Sequence, residues 1–162
     1  MMKKTLITLF LFSCSIMIFA VQESHDVIVV IPAIDAISVG NATVEISFPN
    51  PTTVPTEGLI GEHISTYDFF TNSTSKKIVV SLDSPLTDPF ITIKAQLLVD
   101  GNGSGAGTSS GWQSLTTIPQ VMVQSISNAH YLDNTLQYRV TLAPGTSLAS
   151  EAFSVTFEML DE

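Results

Sequence analysis

The sequence predicts an all-β protein, an immunoglobulin-like antiparallel β-sandwich of about seven to nine strands, and three observations carry that expectation. Short segments in which apolar and polar residues alternate recur at hairpin spacing. Clusters of Pro, Gly, Asn and Ser separate them, and no segment keeps a convincing helical period over about ten residues. There is also no internal repeat of the kind that marks a solenoid or propeller.

Residues 1–20 read as a signal peptide that is absent from the mature fold. Lys3 and Lys4 form the positive region, Thr5 to Phe19 a mostly apolar core, and Ala20 a small residue for cleavage. Cys14 does not make a lipoprotein signal, because bulky Phe12 stands where a small residue is wanted and Ile16 to Ala20 stays apolar. The mature chain is therefore expected to be exported, secreted or surface-bound, with no membrane segment after cleavage. It holds no cysteine, which excludes disulfides, thiol catalysis and Cys-based metal sites.

Residues 21–33 read as an N-terminal strand extension and 34–162 as the sandwich domain. In the extension, Val27, Ile28, Val29, Val30 and Ile31 follow Asp26 without a polar interruption. Five branched side chains favour extended backbone, and such a run is expected to be buried on both faces, because left exposed it would template aggregation. Pro32 ends it by removing a backbone donor. No hairpin partner lies beside it, so its ladder comes from elsewhere, either its own domain or a neighbouring copy.

Ala33 to Val39 is only loosely patterned, and Gly40-Asn41 marks a turn. Ala42 to Phe48 alternates Val44, Ile46 and Phe48 against Thr43, Glu45 and Ser47, which predicts a half-buried strand. Pro49, Pro51, Pro55, Gly58 and Gly61 predict an irregular connection. Ser65 to Thr71, the turn Asn72 to Ser75 and Lys76 to Leu82 read as a hairpin. Phe90 to Val99 is a long strand, and Asp100 to Gly111, with five glycines, is expected to be a flexible and dispensable loop. Strand signals return at Trp112 to Ile118, Val121 to Ile126 and Thr135 to Leu142. After Pro144-Gly145 the chain ends on Phe153, Val155, Phe157 and Met159, one strongly apolar face. The expected core is Val44, Ile46, Ile78, Val80, Ile93, Leu136, Tyr138, Val140, Phe153, Val155 and Phe157.

Beyond the signal, Lys76, Lys77, Lys94 and Arg139 stand against 15 acidic residues, a surface that repels phosphate backbones and anionic lipid. Nucleic acid is thus not an expected partner. Gly107-Thr108-Ser109-Ser110-Gly111 fits the nucleophile-elbow spacing but has no helix to follow it, and His25, His63 and His130 show no base-acid spacing. No enzyme activity and no cofactor are expected. Asp100, Asn102 and Ser104 reproduce the first half of a calcium loop, yet Gly111 stands where a bidentate Glu is needed, so no metal site is expected. Asn41, Asn72 and Asn102 open formal glycosylation sequons, which matter only in a glycosylating host. Trp112, Phe69, Phe70 and Tyr67 could line a sugar-binding surface, although core packing is the commoner use of strand aromatics.

The string Thr71-Asn72-Ser73-Thr74-Ser75-Lys76-Lys77-Ile78-Val79-Val80-Ser81-Leu82, followed by Pro85-Leu86-Thr87-Asp88, resembles the corresponding region of chaperone-usher fimbrial major pilins of the CS1 and CFA/I type. A valine-rich strand and proline near the mature N-terminus, the absence of cysteine and an alternating C-terminal strand are similar too. The likeness covers about a third of the mature chain; the Pro49 to Gly61 connection and the Asp100 to Gly111 loop do not fit it. It implies a sandwich lacking one strand, completed by the extension of the next subunit. Val27 to Ile31 would be the donor, and the strand carrying Phe153, Val155, Phe157 and Met159 would border the acceptor groove. It further implies copies of the same chain, a periplasmic chaperone and an usher as partners, and cell adhesion as the setting. The alternative is a monomeric secreted β-sandwich that binds a ligand such as a glycan.

Overall fold

The computed structural model describes residues 28–41, 43–48, 58–146 and 151–162. The expected signal peptide, Cys14, His25, Asp26, Val27, Ala42 and most of the proline-rich connection lie outside the described residues. The chain divides between Ile31 and Pro32. Before that point, Ile28 to Ile31 form no strand, and their side chains are 71 to 84% exposed.

From Pro32 onward the structure is all-β, antiparallel and sandwich-like, with no helix among the described residues. Its eight strands are β1 (Asp35–Val39), β2 (Leu59–Thr71), β3 (Lys76–Leu82), β4 (Ile91–Leu97), β5 (Asn102–Ser109), β6 (Gln113–Ser114), β7 (Gln120–Leu142) and β8 (Val155–Asp161). Four of the strands, β2, β3, β4 and β5, pair directly with β7. Branched residues at Val121, Val123 and Ile126, then alternation through Leu136, Tyr138, Val140 and Leu142, keep it extended across two segments that read separately in sequence. Both of its edges are occupied along most of its length. β2 pairs with residues 129–142 and β3 with 120–126, whereas β5 pairs with 123–132 and β4 with 136–142. Because β5 overlaps both β2 and β3 along β7, it lies on the opposite edge from each of them. β2 and β3 therefore run one after the other along the same edge.

This corrects the expected hairpin: both strands exist, but they pair with β7 and not with each other. Residues 72–75 are a corner at which the sheet bends. β7 bends with them through bulges, where Ser125, Asn128 and Asp133 adopt φ of 56°, 43° and 57°. Left-handed backbone is unfavourable for residues with a Cβ. Here each such residue donates its N–H to a specific acceptor: Ser125 to the Glu162 carboxylate at 2.7 Å, Asn128 to the Ser73 carbonyl at 2.9 Å, and Asp133 to the Asp68 carboxylate at 2.8 Å.

The Asp100 to Gly111 segment is also corrected, from flexible loop to strand. At Gly103 and Gly105, β5 lies so close to β7 that a side chain is excluded. A Cβ at Gly103 would overlap the His130 carbonyl oxygen and stand 2.7 Å from the Tyr131 Cα, and one at Gly105 would meet the Asn128 carbonyl oxygen at 2.6 Å. The glycines serve close backbone approach, which in composition looks the same as flexibility. Ala42 to Phe48 departs from expectation in the other direction: residues 43–48 have no strand assignment, although Val44, Ile46 and Phe48 are half-buried against the core. Of Trp112 to Ile118 only β6 is a strand, and β1 arises from the loosely patterned Ala33 to Val39.

Tyr67, Phe69, Ile78, Val80, Ile93, Leu97, Met122, Val123, Ile126 and Leu136 fill the centre. Of the expected core, Ile78, Val80, Ile93, Leu136, Tyr138 and Val140 are buried, while Val44, Ile46, Phe153, Val155 and Phe157 are half-buried at its margin. The buried Asn134 is satisfied, accepting from the Gly101 N–H at 3.0 Å and donating to the Tyr67 carbonyl at 3.3 Å.

Candidate functional site

The sheet path begins at β1 and ends at β8, so among the described residues each of these strands has one paired edge and one unpaired edge. The bend at the corner brings the two together. Lys76, the first residue of β3, reaches both: its Nζ lies 2.7 Å from an Asp35 carboxylate oxygen on β1 and 2.7 Å from an Asp161 carboxylate oxygen on β8. The Lys76 side chain is only 12% exposed, whereas Asp161 is 85% exposed. Hydrogen bonds to Asp161 and then Asp35 hold the ammonium above its ordinary pKa, against a smaller opposing effect of burial. In turn, the bond from Lys76 and one from Thr71 Oγ1 at 2.6 Å hold the Asp35 carboxyl below the usual carboxylate range.

This three-membered cluster joins β1 and β8 at one end of the two strands. Away from it, apolar side chains that the core only partly covers stand on both sides: Ile37 on β1, and Phe153, Val155, Phe157 and Met159 on and before β8. The four C-terminal residues expected to border a groove therefore share one margin of the core. Val27 is outside the described residues, and Ile28, Val29, Val30 and Ile31 are exposed. Sequence reasoning missed Asp35, Ile37 and Asp161, and met Lys76 only as a basic residue opening a strand and as part of the similar string; a lysine opening a strand gives no sign that it will meet two carboxylates from distant segments.

The other candidate features separate. Tyr67 and Phe69 are core residues, Phe70 stands edge-on to His130 on the outer face, and Trp112 lies beneath the Arg139 guanidinium at 4.5 Å. The four aromatics form no common surface. Arg139 also binds Glu62 at 2.6 Å. Asp100 accepts from both the N–H and the hydroxyl of Thr135, at 2.8 and 2.7 Å, and Asn102 and Ser104 are rungs of β5. Ser109 sits at the end of β5 with no helix after it, while His63 and His130 belong to other rungs of the sheet.

No protein-family model matches the chain, and a search of curated proteins found no match. The resemblance to fimbrial pilins thus rests on the residues quoted above.

Proposed function

We propose that this chain is an exported structural subunit of a surface filament, in which Val27 to Ile31 of one copy enters the gap between β1 and β8 of another. One observation carries the reading: among the described residues the chain has two unpaired strand edges beside half-covered apolar side chains, and exposed branched apolar residues, Ile28 to Ile31, with the composition of a strand. An inserted strand would find backbone donors and acceptors along the edges and side-chain positions at period two. Each branched side chain so buried contributes about 1.5 to 3 kcal/mol, which makes exchange worth several such increments. On this reading the subunit has no catalytic role; its partners are its own copies, with a chaperone and an usher to deliver them.

The test is the mass of the purified mature chain on a non-reducing gel, with and without boiling. Donor-strand polymers give a ladder that collapses on boiling, and Val29→Asp removes it, because a lone charge in a dry gap is not compensated. A chain that runs as a monomer at every concentration refutes the proposal. The alternative, a monomeric module that binds a glycan through loops or an aromatic face, keeps its loops, while Tyr67, Phe69, Phe70 and Trp112 form no common face.

A further inference from the structure

The connection between the donor run and β1 carries a second inference, which rests on the strand-exchange reading. Pro32, Ala33 and Ile34 separate Ile31 from Asp35, and three residues are enough for a hairpin loop. By length alone, the run could fold back beside β1 and fill its own gap. Asn72 stands against that reversal. β2 ends at Thr71, opposite Asp35, but the Asn72 backbone N–H donates to the Ile34 carbonyl at 3.3 Å and so carries the ladder one residue further. Its side chain then acts as an additional strand segment. Oδ1 accepts from the Ile34 N–H at 2.7 Å, and Nδ2 donates to the Pro32 carbonyl at 2.7 Å.

Asn72 is itself fixed. Thr71 Oγ1, immediately before it, accepts from the Ser73 N–H at 3.0 Å, and the Ser73 carbonyl accepts from Asn128 at the bulge in β7. Residues 32 and 34 are thereby bonded towards β2, on the side away from the gap, and kept in line with β1. A tight turn through these residues would have to rotate the Pro32 carbonyl and the Ile34 N–H away from Asn72.

We propose that Asn72 is a directing residue for assembly: by clamping Pro32 and Ile34 it opposes insertion of the donor strand into its own gap and commits that strand to a second copy of the chain. Two side-chain bonds of ordinary net strength correspond to a shift of about 10- to 100-fold in the ratio of folded-back monomer to exchanged polymer.

The experiment compares the full mature chain with Asn72→Ala and Asn72→Asp at matched concentrations. Polymer fraction is measured by size-exclusion chromatography, exchange protection at the Val29 to Ile31 amides by hydrogen exchange, and folding by circular dichroism. Asn72→Ala is expected to raise the monomer-to-polymer ratio within that range, with Val29 to Ile31 protected inside the monomer. Asn72→Asp, which keeps the acceptor for Ile34 and loses the donor to Pro32, should fall between; it decides the matter if the alanine variant does not fold. Polymer yields equal to wild type in the folded variants overturn this inference and leave strand exchange standing. A wild-type chain that stays monomeric overturns strand exchange, and this inference with it.

Discussion

Replacing glycines in β5 one at a time distinguishes a strand from a loop. Gly103 has no positive φ, but a Cβ there overlaps the His130 carbonyl oxygen; Gly105 combines φ 111° with a Cβ 2.6 Å from the Asn128 carbonyl oxygen; Gly111 has φ 74° and nothing within 4 Å. Alanine at any of them gains about 0.4 to 1 kcal/mol by restricting the unfolded chain. Against that, forced overpacking costs about 1 to 3 kcal/mol, and the shift of β5 it demands weakens ladder bonds of about 1 kcal/mol each. Left-handed backbone adds about 1 to 2 kcal/mol. The net expectation is a loss within about 1 kcal/mol for Gly111→Ala, about 1 to 3 for Gly103→Ala, and about 2 to 5 for Gly105→Ala. Urea unfolding with a common m-value measures all three. Were Gly103→Ala no worse than Gly111→Ala, the close approach of β5 to β7 would be wrong and the segment would be the loop its composition suggests.

Three other outcomes follow from the packing and the charges. Ile78→Ala or Leu136→Ala, both fully buried, should lower unfolding free energy by about 2 to 5 kcal/mol in the same assay, whereas Ile64→Ala on the outer face should change it by less than about 0.5. Asn134→Ala should cost about 1 to 3 kcal/mol, because it leaves the Gly101 N–H and the Tyr67 carbonyl without their partner. Stability should fall at both ends of the pH scale. The Asp35 contribution is present above its unfolded value of 3.8 and is lost as pH drops through its lower folded value; the Lys76 contribution is complete below 10.5 and is lost as pH rises through its higher folded value. Tyr138, pushed up to about 12 by burial, adds to the alkaline loss from pH 10 upward. Melting temperature against pH should show both limbs, and Lys76→Met should flatten the acid one.

Much of the fold was legible because period-two alternation reports which face of a strand is buried. Lys76 to Leu82 is a strand with the bounds its sequence suggests, and Leu136, Tyr138 and Val140 face the core as their spacing requires. Pairing was not legible. Asn72 to Ser75 has turn composition, but composition does not distinguish a hairpin reversal from a corner, and only the long partner β7 determines which forms. β7 was hidden in turn because Ser125, Asn128 and Asp133 look like loop residues when their capped bulges cannot be seen. At the candidate site, the apolar C-terminal face was readable from alternation, whereas Asp35, Lys76 and Asp161 are ordinary charges until three distant segments converge.

The dependence of so many strands on β7 also sets an order of events in time. As the chain is synthesised residue by residue, β2, β4 and β5 emerge before the strand that pairs them, and until Gln120 to Leu142 follows, the ladders among the described residues that can close are β1 with β2 and β4 with β6. Most of the sheet forms late and, apart from β5 with β7, through pairings that span several tens of residues, which places folding in the slow, millisecond-to-second class of β proteins. Throughout that interval Tyr67, Phe69, Ile78 and Val80 are uncovered strand residues in water, and the chain is most vulnerable to aggregation just before its longest strand arrives.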